Sequence, residues 1–377
     1  MREVAIAQTG IVTAAGNDLE ATWNYIMTGR TALRKIDRFP VKAYSSEICG
    51  WIPGLKSSGK GSLIRNLRDL LLDQMDPVPP DSLLITSSTK AGIDNLEKIK
   101  RGEVADPEDM IPSSITERVK ARLGLNGRSF HISAACASST VAAAQGMALI
   151  AAGIAESVLI FCLDLLTESV FSGFSAFQIL SPSPCRPFDR DRSGLSVGEG
   201  GAFLLLMSAD RARELGRPEK GILAGAGISS DARHITAPDR TGAGLIRAVE
   251  AAIKTAGIKK EDIAGISAHG TGTVYNDLME LTAFRTLFGK QCPPLYSVKG
   301  CLGHTFGAAG GIEIVLGTRI LSSQTLPPTA GFVHPEQGAE GIVSAQAVSL
   351  DGDYLLTTNS GFGGINAATI LKKGGRP

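Results

Sequence analysis

The 377 residues, 43% of them hydrophobic, supply enough core for one large domain or two fused ones. Lys and Arg number 38 against 37 Asp and Glu, a formal net charge of +1, so no bulk field recruits nucleic acid or anionic lipid. No apolar run reaches the roughly eighteen residues of a membrane span, and six cysteines without a CxxC pair read as reduced thiols; a cytoplasmic protein with no membrane span is expected.

In chain order, the opening MREVAIAQTGIVTAAG alternates apolar positions and reads as a strand over 3–12 rather than a signal peptide, followed by a helix over 19–28. Residues 36–80, with basic runs, glycines and Pro77, Val78, Pro79 and Pro80, read as surface excursions. Strands follow at 82–87, 129–134, 157–163 and 201–207, with helices at 90–99, 112–122 and 137–152. Beyond the polar stretch DRARELGRPEK (210–220) come strands at 221–228, 263–268, 342–349 and 354–359 and helices at 243–256, 277–288 and 307–320. Buried apolar strands alternating with Ala-rich helices give an α/β class with both sheet faces covered.

The two parts echo one another. A cysteine or histidine precedes a small-residue helix at Cys136 and at His304, and a paired glycine opens an apolar strand about sixty residues later, at Gly200-Gly201 and Gly363-Gly364. This spacing predicts duplicated halves, 1–210 and 211–377, with the site between them.

Chemistry concentrates at four places. In FHISAACASSTVAAAQG a strand runs through small residues into a helix beginning beside Cys136, where free N–H groups and the helix dipole are expected to lower the thiol pKa. The Cys136 N–H, with one from Gly361-Phe362-Gly363, would serve a developing oxyanion; Phe362 itself reads as a gate over an acyl tunnel or as core packing. His269 and His304 each follow an apolar strand, the position where α/β proteins place ligands; satisfied loop histidines and zinc ligands are the alternatives, zinc being weakened by the absence of short ligand spacing. Lys299 and Glu313 bracket His304 as a candidate buried pair tuning that imidazole, whereas His131 reads as structural. No GxxxxGK[ST] or GxGxxG-helix signature occurs.

Taken in order, AACASS, PFDRDRSGLSVGEGG, AHGTGTVYNDLMEL, SVKGCLGHTFGAAGGIE and NSGFGGIN resemble the islands of the β-ketoacyl-acyl carrier protein synthases, the elongating branch of the thiolase-fold condensing enzymes. The resemblance implies duplicated βαβαβαββ halves in an α-β-α-β-α layering. It implies Cys136 as nucleophile, His269 and His304 as decarboxylation and condensation histidines, and Lys299 and Glu313 as a supporting pair. It also implies Phe362 as acyl gate and, with Cys136, oxyanion hole. Thr271, Thr273 and Thr305 match a polar lining for the donor arm, while Asp277 and Glu280 match positions that fix the His269 turn. No metal or redox cofactor is implied; phosphopantetheine arrives on an acyl carrier protein, and the chain pairs as a homodimer or with a related ketosynthase-like subunit. The short stretch after Trp51, Ser139 where the family has glycine, and Tyr275 depart from the pattern, so polyketide or aryl-polyene synthesis is the expected setting, with fatty-acid elongation or a non-catalytic chain-length partner as alternatives. A thiolase would carry a second cysteine near the C-terminal glycine loop, and NSGFGGIN has none.

Overall fold

The computed structural model describes residues 2–57 and 62–376. Its first half builds β1 (Val4–Thr13), α1 (Leu63–Leu72), β2 (Leu83–Ser87), α2 (Pro112–Leu123), β3 (Ser129–Ile132), α3 (Ser138–Ala151), β4 (Ser157–Asp164), α4 (Glu168–Ala176) and β5 (Gly200–Ser208). The second builds β6 (Glu219–Ser230), α5 (Ala243–Ala256), β7 (Ile263–Ser267), α6 (Val274–Phe288), β8 (Leu295–Tyr296), α7 (Ala309–Ser323), β9 (Tyr354–Gly361) and β10 (Ile365–Arg376). The sheet runs β8-β7-β9-β10-β6-β1-β5-β4-β2-β3. Read outward from its middle, β1-β5-β4-β2-β3 and β6-β10-β9-β7-β8 have the same order and the same sequence of antiparallel and parallel pairings. Within the sheet, β1 and β6 pair the halves through Ala5↔Ile222 and Ile6↔Gly221. Within the ten-stranded sheet, and setting aside α4 and the further helices Leu19–Ile26, Asp94–Lys100, Ala209–Glu214 and Lys299–Leu302, each half is a βαβαβαββ unit, the duplication expected from the resemblance.

Three apolar clusters separate the layers. On β4, Val158, Ile160 and Cys162 face a central cluster with Ala142, Ala143 and Ile150 of α3 and Ile312, Val315 and Leu316 of α7. The alternate residues Leu159, Phe161 and Leu163 face Leu67 and Leu71 of α1 and Ile115 and Val119 of α2. In the second half α5 and α6 cover the outer face through Ala248, Val249, Phe284 and Leu287. A strand buried on both faces therefore reads as a continuous apolar run. The arrangement is α-β-α-β-α, with α3 and α7 in the middle layer. Small residues let those two helices meet: a Cβ at Gly310 would collide with Thr140 and Asn359, and Gly311 N–H donates to Ser139 Oγ at 2.8 Å. Ser139, a departure from the usual glycine, thus supplies an acceptor across the seam.

Two expectations are corrected. The strand expected over 342–349 is confined to Val348–Ser349, paired with Thr325–Leu326; the third strand of the second half is instead the two-residue Leu295–Tyr296, too short to show a period. The 36–80 stretch, of which 58–61 lie outside the described residues, is not all surface excursion. Ser62 caps α1 by accepting Arg65 N–H, and Leu63, Ile64, Leu67, Leu71 and Leu72 bury one helical face.

Candidate active site

Cys136 lies on a sharp turn between β3 and α3. Ala135 takes φ +48°, and the Ser138 hydroxyl bridges the turn, accepting Ala134 N–H at 2.8 Å and donating to Ala135 O at 2.6 Å. Gly361 backs onto it so closely that a Cβ there would stand 3.1 Å from Cys136 N, and the next residue, Phe362, points its N–H at the Cys136 sulfur. The sequence expectation of a lowered thiol pKa is corrected. Cys136 precedes α3 and its cap residue Ala137, outside the helical turn, and burial pushes the thiol up to about 11 against the opposing fields of Lys299 and Lys90.

His269 and His304 enter the same space from the second half. The Cys136, His269 and His304 donor atoms lie within 4.8 Å of one another, and the two rings meet edge to face with centroids 5.1 Å apart. All three line a cavity of about 290 Å³ together with Phe362, Thr271, Thr273 and Tyr275. Burial and the charge of Lys299 hold both imidazoles well below their ordinary pKa, so both are neutral at pH 7. His304 Nδ1 accepts Phe306 N–H at 3.2 Å, which puts the ring proton on Nε2.

The His269 loop is wrapped by two buried carboxylates from α6. Glu280 accepts His269 N–H at 2.8 Å and Gly270 N–H at 2.6 Å; Asp277 accepts Thr271 N–H at 3.0 Å and, from the PFDRDRSG segment, Phe188 N–H at 2.8 Å. Burial and the nearby Asp277 push Glu280 up to about 8. These acids hold backbone, as the resemblance implied for them.

Lys299 and Glu313 pair at 2.6 Å, both buried. Their hydrogen-bonded route runs to His269, not to the neighbouring His304: Glu313 Oε2 accepts from Asn359 Nδ2 at 2.8 Å, and that nitrogen lies 3.3 Å from His269 Nδ1. Asn359 stands in the NSGFGGIN island but carried no assigned role. Lys90 was missed too. Its Nζ lies 3.6 Å above the Phe306 ring and 3.6 Å from Asp164, a carboxylate that also accepts Gly307 N–H at 2.7 Å.

Phe362 stacks on Phe174 of α4 with centroids 6.2 Å apart and meets Phe177 edge-on at 6.0 Å, forming one wall of the cavity. Thr271 and Thr273 line it and share a hydroxyl contact of 2.9 Å. Thr305 does not reach that wall; it is buried, with its methyl toward Gly200. Tyr275 sits at the mouth, 58% exposed, with the Arg240 guanidinium 5.2 Å from its ring centre. Cys185 turns inward and donates to Lys299 O at 3.2 Å. His131 is structural, joined to Thr86 Oγ1 at 2.9 Å and Ser88 O at 3.1 Å.

The chain as a whole has relatives among known proteins. The "Beta-ketoacyl synthase, N-terminal domain" matches residues 84–212 and the "Beta-ketoacyl synthase, C-terminal domain" residues 220–333. The chain belongs to the β-ketoacyl synthase family. The synthase is therefore a condensing enzyme of the ketosynthase type. It is 29% identical to 3-oxoacyl-[acyl-carrier-protein] synthase 2 of Staphylococcus aureus, over 99% of this chain and 98% of that one, and 27% identical to the protein so named in Vibrio cholerae, over 99% of each. Among solved structures it resembles the ishigamide ketosynthase/chain length factor (28% identity, TM-score 0.87, 99% of this chain and 100% of that one). It also resembles a ketosynthase in complex with its chain length factor from Xenorhabdus doucetiae (26%, TM-score 0.86, 99% and 98%). Among the described residues of the synthase no helix is long and apolar enough to cross a membrane.

Proposed function

We propose that the synthase takes an acyl group from an acyl carrier protein onto Cys136, decarboxylates malonyl carrier protein, and joins the two to give a β-ketoacyl carrier protein. In the first half-reaction a C–S bond to Cys136 forms as the carrier's C–S bond breaks, and the thiol proton leaves with the carrier sulfur. In the second, the malonyl C–C bond breaks, CO2 departs, and the enolate carbon attacks the acyl carbon. The Cys136 C–S bond then breaks and its sulfur regains a proton from solvent.

Each residue has a place in this scheme. His269 and His304 donate through Nε2–H to the malonyl thioester oxygen as negative charge grows on it, in a cavity where a fixed donor is worth more than in water. Cys136 and Phe362 N–H groups receive the oxyanion on the acyl carbon. Phe362 also gates the acyl chain, and Thr271 and Thr273 contact the donor arm; Thr305 acts there only if its side chain turns out from Gly200. Lys299 and Glu313 support the histidines electrostatically. The division into 1–210, bearing the nucleophile, and 211–377, bearing the histidines, belongs to this reading and draws support from matched family ranges that end at 212 and resume at 220.

The observation that carries the proposal is the convergence of one sulfur and two imidazoles within 4.8 Å. Fatty-acid-type chain elongation has the better support for the setting, because the curated relatives are 3-oxoacyl-[acyl-carrier-protein] synthases. Polyketide or aryl-polyene synthesis is the second reading, favoured by neighbours named as ketosynthases with chain length factors; it would have the synthase pair with a related subunit, where the first allows a homodimer. A non-catalytic chain-length partner is disfavoured by the retained thiol and both imidazoles. Intact mass after incubation with an acyl carrier protein is expected to show an acyl adduct that Cys136→Ala lacks; an adduct that survives the substitution contradicts the assignment. His304→Ala is expected to slow CO2 release from malonyl carrier protein by about 100-fold or more, the usual cost of a lost charge-stabilising donor, and an undiminished rate removes His304 from the chemistry.

A further inference from the structure

Among the described residues, the His269 ring has no main-chain contact of the kind that fixes His304. The His304 proton is placed by Phe306 N–H at Nδ1, whereas the Nδ1 of His269 faces a side chain, the amide of Asn359 at 3.3 Å. That amide is fully buried on β9 and held from three sides. Its nitrogen donates to Glu313 Oε2 at 2.8 Å, its oxygen accepts the Thr140 hydroxyl of α3, and Glu313 is itself pinned through Oε1 by Lys299 at 2.6 Å. Turning the amide over would press its oxygen against the Glu313 carboxylate, so the ion pair fixes which end of Asn359 meets the imidazole.

We infer that Asn359 is a positioning residue that sets the tautomer of His269, holding its proton on Nε2, toward the cavity. The inference deepens the proposed condensation and rests on it. An amide N–H at Nδ1 requires a lone pair there, so the neutral ring carries hydrogen on Nε2 and can donate to a thioester oxygen. The opposite tautomer would aim a lone pair at the same oxygen and repel the enolate. The charged and titratable groups around this ring are Lys299, whose field disfavours imidazolium, the neutral His304 ring and the Cys136 thiol. Glu280 is spent on backbone N–H groups of the loop and not on the ring. The choice of tautomer is therefore left to one amide, and Lys299 and Glu313 act on His269 through it. Thr140 ties the same amide to the nucleophile's helix, so both halves fix the donor's direction.

The direct test is nitrogen NMR of the unliganded enzyme with ¹⁵N-labelled histidine, assigning His269 by its loss in His269→Gln. A protonated Nε2 with an unprotonated Nδ1 is expected; the reverse pattern overturns the inference. In Asn359→Ala the two tautomers should mix, and turnover of malonyl carrier protein to CO2 should fall about 100-fold in kcat with KM changing less than about threefold, as for a donor lost chiefly in the transition state. Cys136 should still take an acyl group. Parallel loss of acylation and decarboxylation, or an unmoved His269 spectrum, would make Asn359 merely structural and overturn its role. Should the unsubstituted enzyme form no adduct at Cys136, the condensation reading fails instead, while the nitrogen spectrum still decides the tautomer.

Discussion

At the scale of single residues, two opposing effects meet on the Cys136 sulfur. Desolvation raises the thiol pKa, while Lys299, Lys90 and the Phe362 N–H favour the thiolate, and the balance stands at about 11. The thiolate fraction below that pKa rises about tenfold per pH unit, so alkylation by iodoacetamide should climb about tenfold per unit from pH 7 to 9. A rate that levels off below pH 8 would show a much more acidic thiol. Such a sulfur reacts slowly with adventitious electrophiles at neutral pH. The placement of Cys136 in the cavity was legible in AACASS, because a strand entering a small-residue helix is a local pattern. Its acidity was not, since that depends on Lys90 and Lys299, brought in from distant segments, and on burial that no local pattern encodes.

At the scale of elements, α3, α7 and β9 are joined by polar contacts buried in an otherwise apolar layer. Breaking one partner out of Lys299–Glu313 strands the other: Glu313→Gln should cost roughly 3–5 kcal/mol in a urea titration, the usual penalty for an uncompensated buried charge. Loss below about 1 kcal/mol would mean that water reaches the ammonium. The glycines of the seam are equally demanding. Gly310→Ala must displace Thr140 or Asn359 and should lose about 1–3 kcal/mol, whereas Gly173→Ala in α4, with open space at its Cβ, should be neutral or gain up to about 1 kcal/mol. Equal effects at the two positions would contradict the close helix approach. Long elements with a clear period were readable, α5 to both of its observed ends. The spacing of Leu63, Ile64, Leu67 and Leu71 also held enough signal for α1, but Pro and Gly nearby suggested surface loops. For β8 no signal existed: two residues cannot display a period, and IVSAQAVS imitated the strand that the Leu295 backbone supplies.

At the scale of the molecule, duplication explains why the site lies where it does. Equivalent strand-to-helix turns, one from each half, bring Cys136 and His304 to the same seam, and the second half adds His269 and Phe362. The price of that convergence is acid sensitivity. Unfolded histidines protonate near pH 6.5, while folded His269 and His304 resist protonation to well below it; the unfolded chain then binds more protons, and stability falls as pH drops below about 6.5. His304→Gln should weaken that dependence by up to roughly 1.4 kcal/mol per pH unit, measured by denaturation between pH 5 and 7, and an unchanged slope would mean that the ring is not held neutral. The proposed chemistry has this thiol and these imidazoles together make a carbon–carbon bond. Mass analysis of the carrier after mixing the synthase with acyl and malonyl carrier proteins tests it most directly. A carrier-bound β-ketoacyl product two carbons longer than the primer, absent with Cys136→Ala, is the predicted result; the same product in undiminished yield from Cys136→Ala, or none from the intact synthase with any primer, would contradict it.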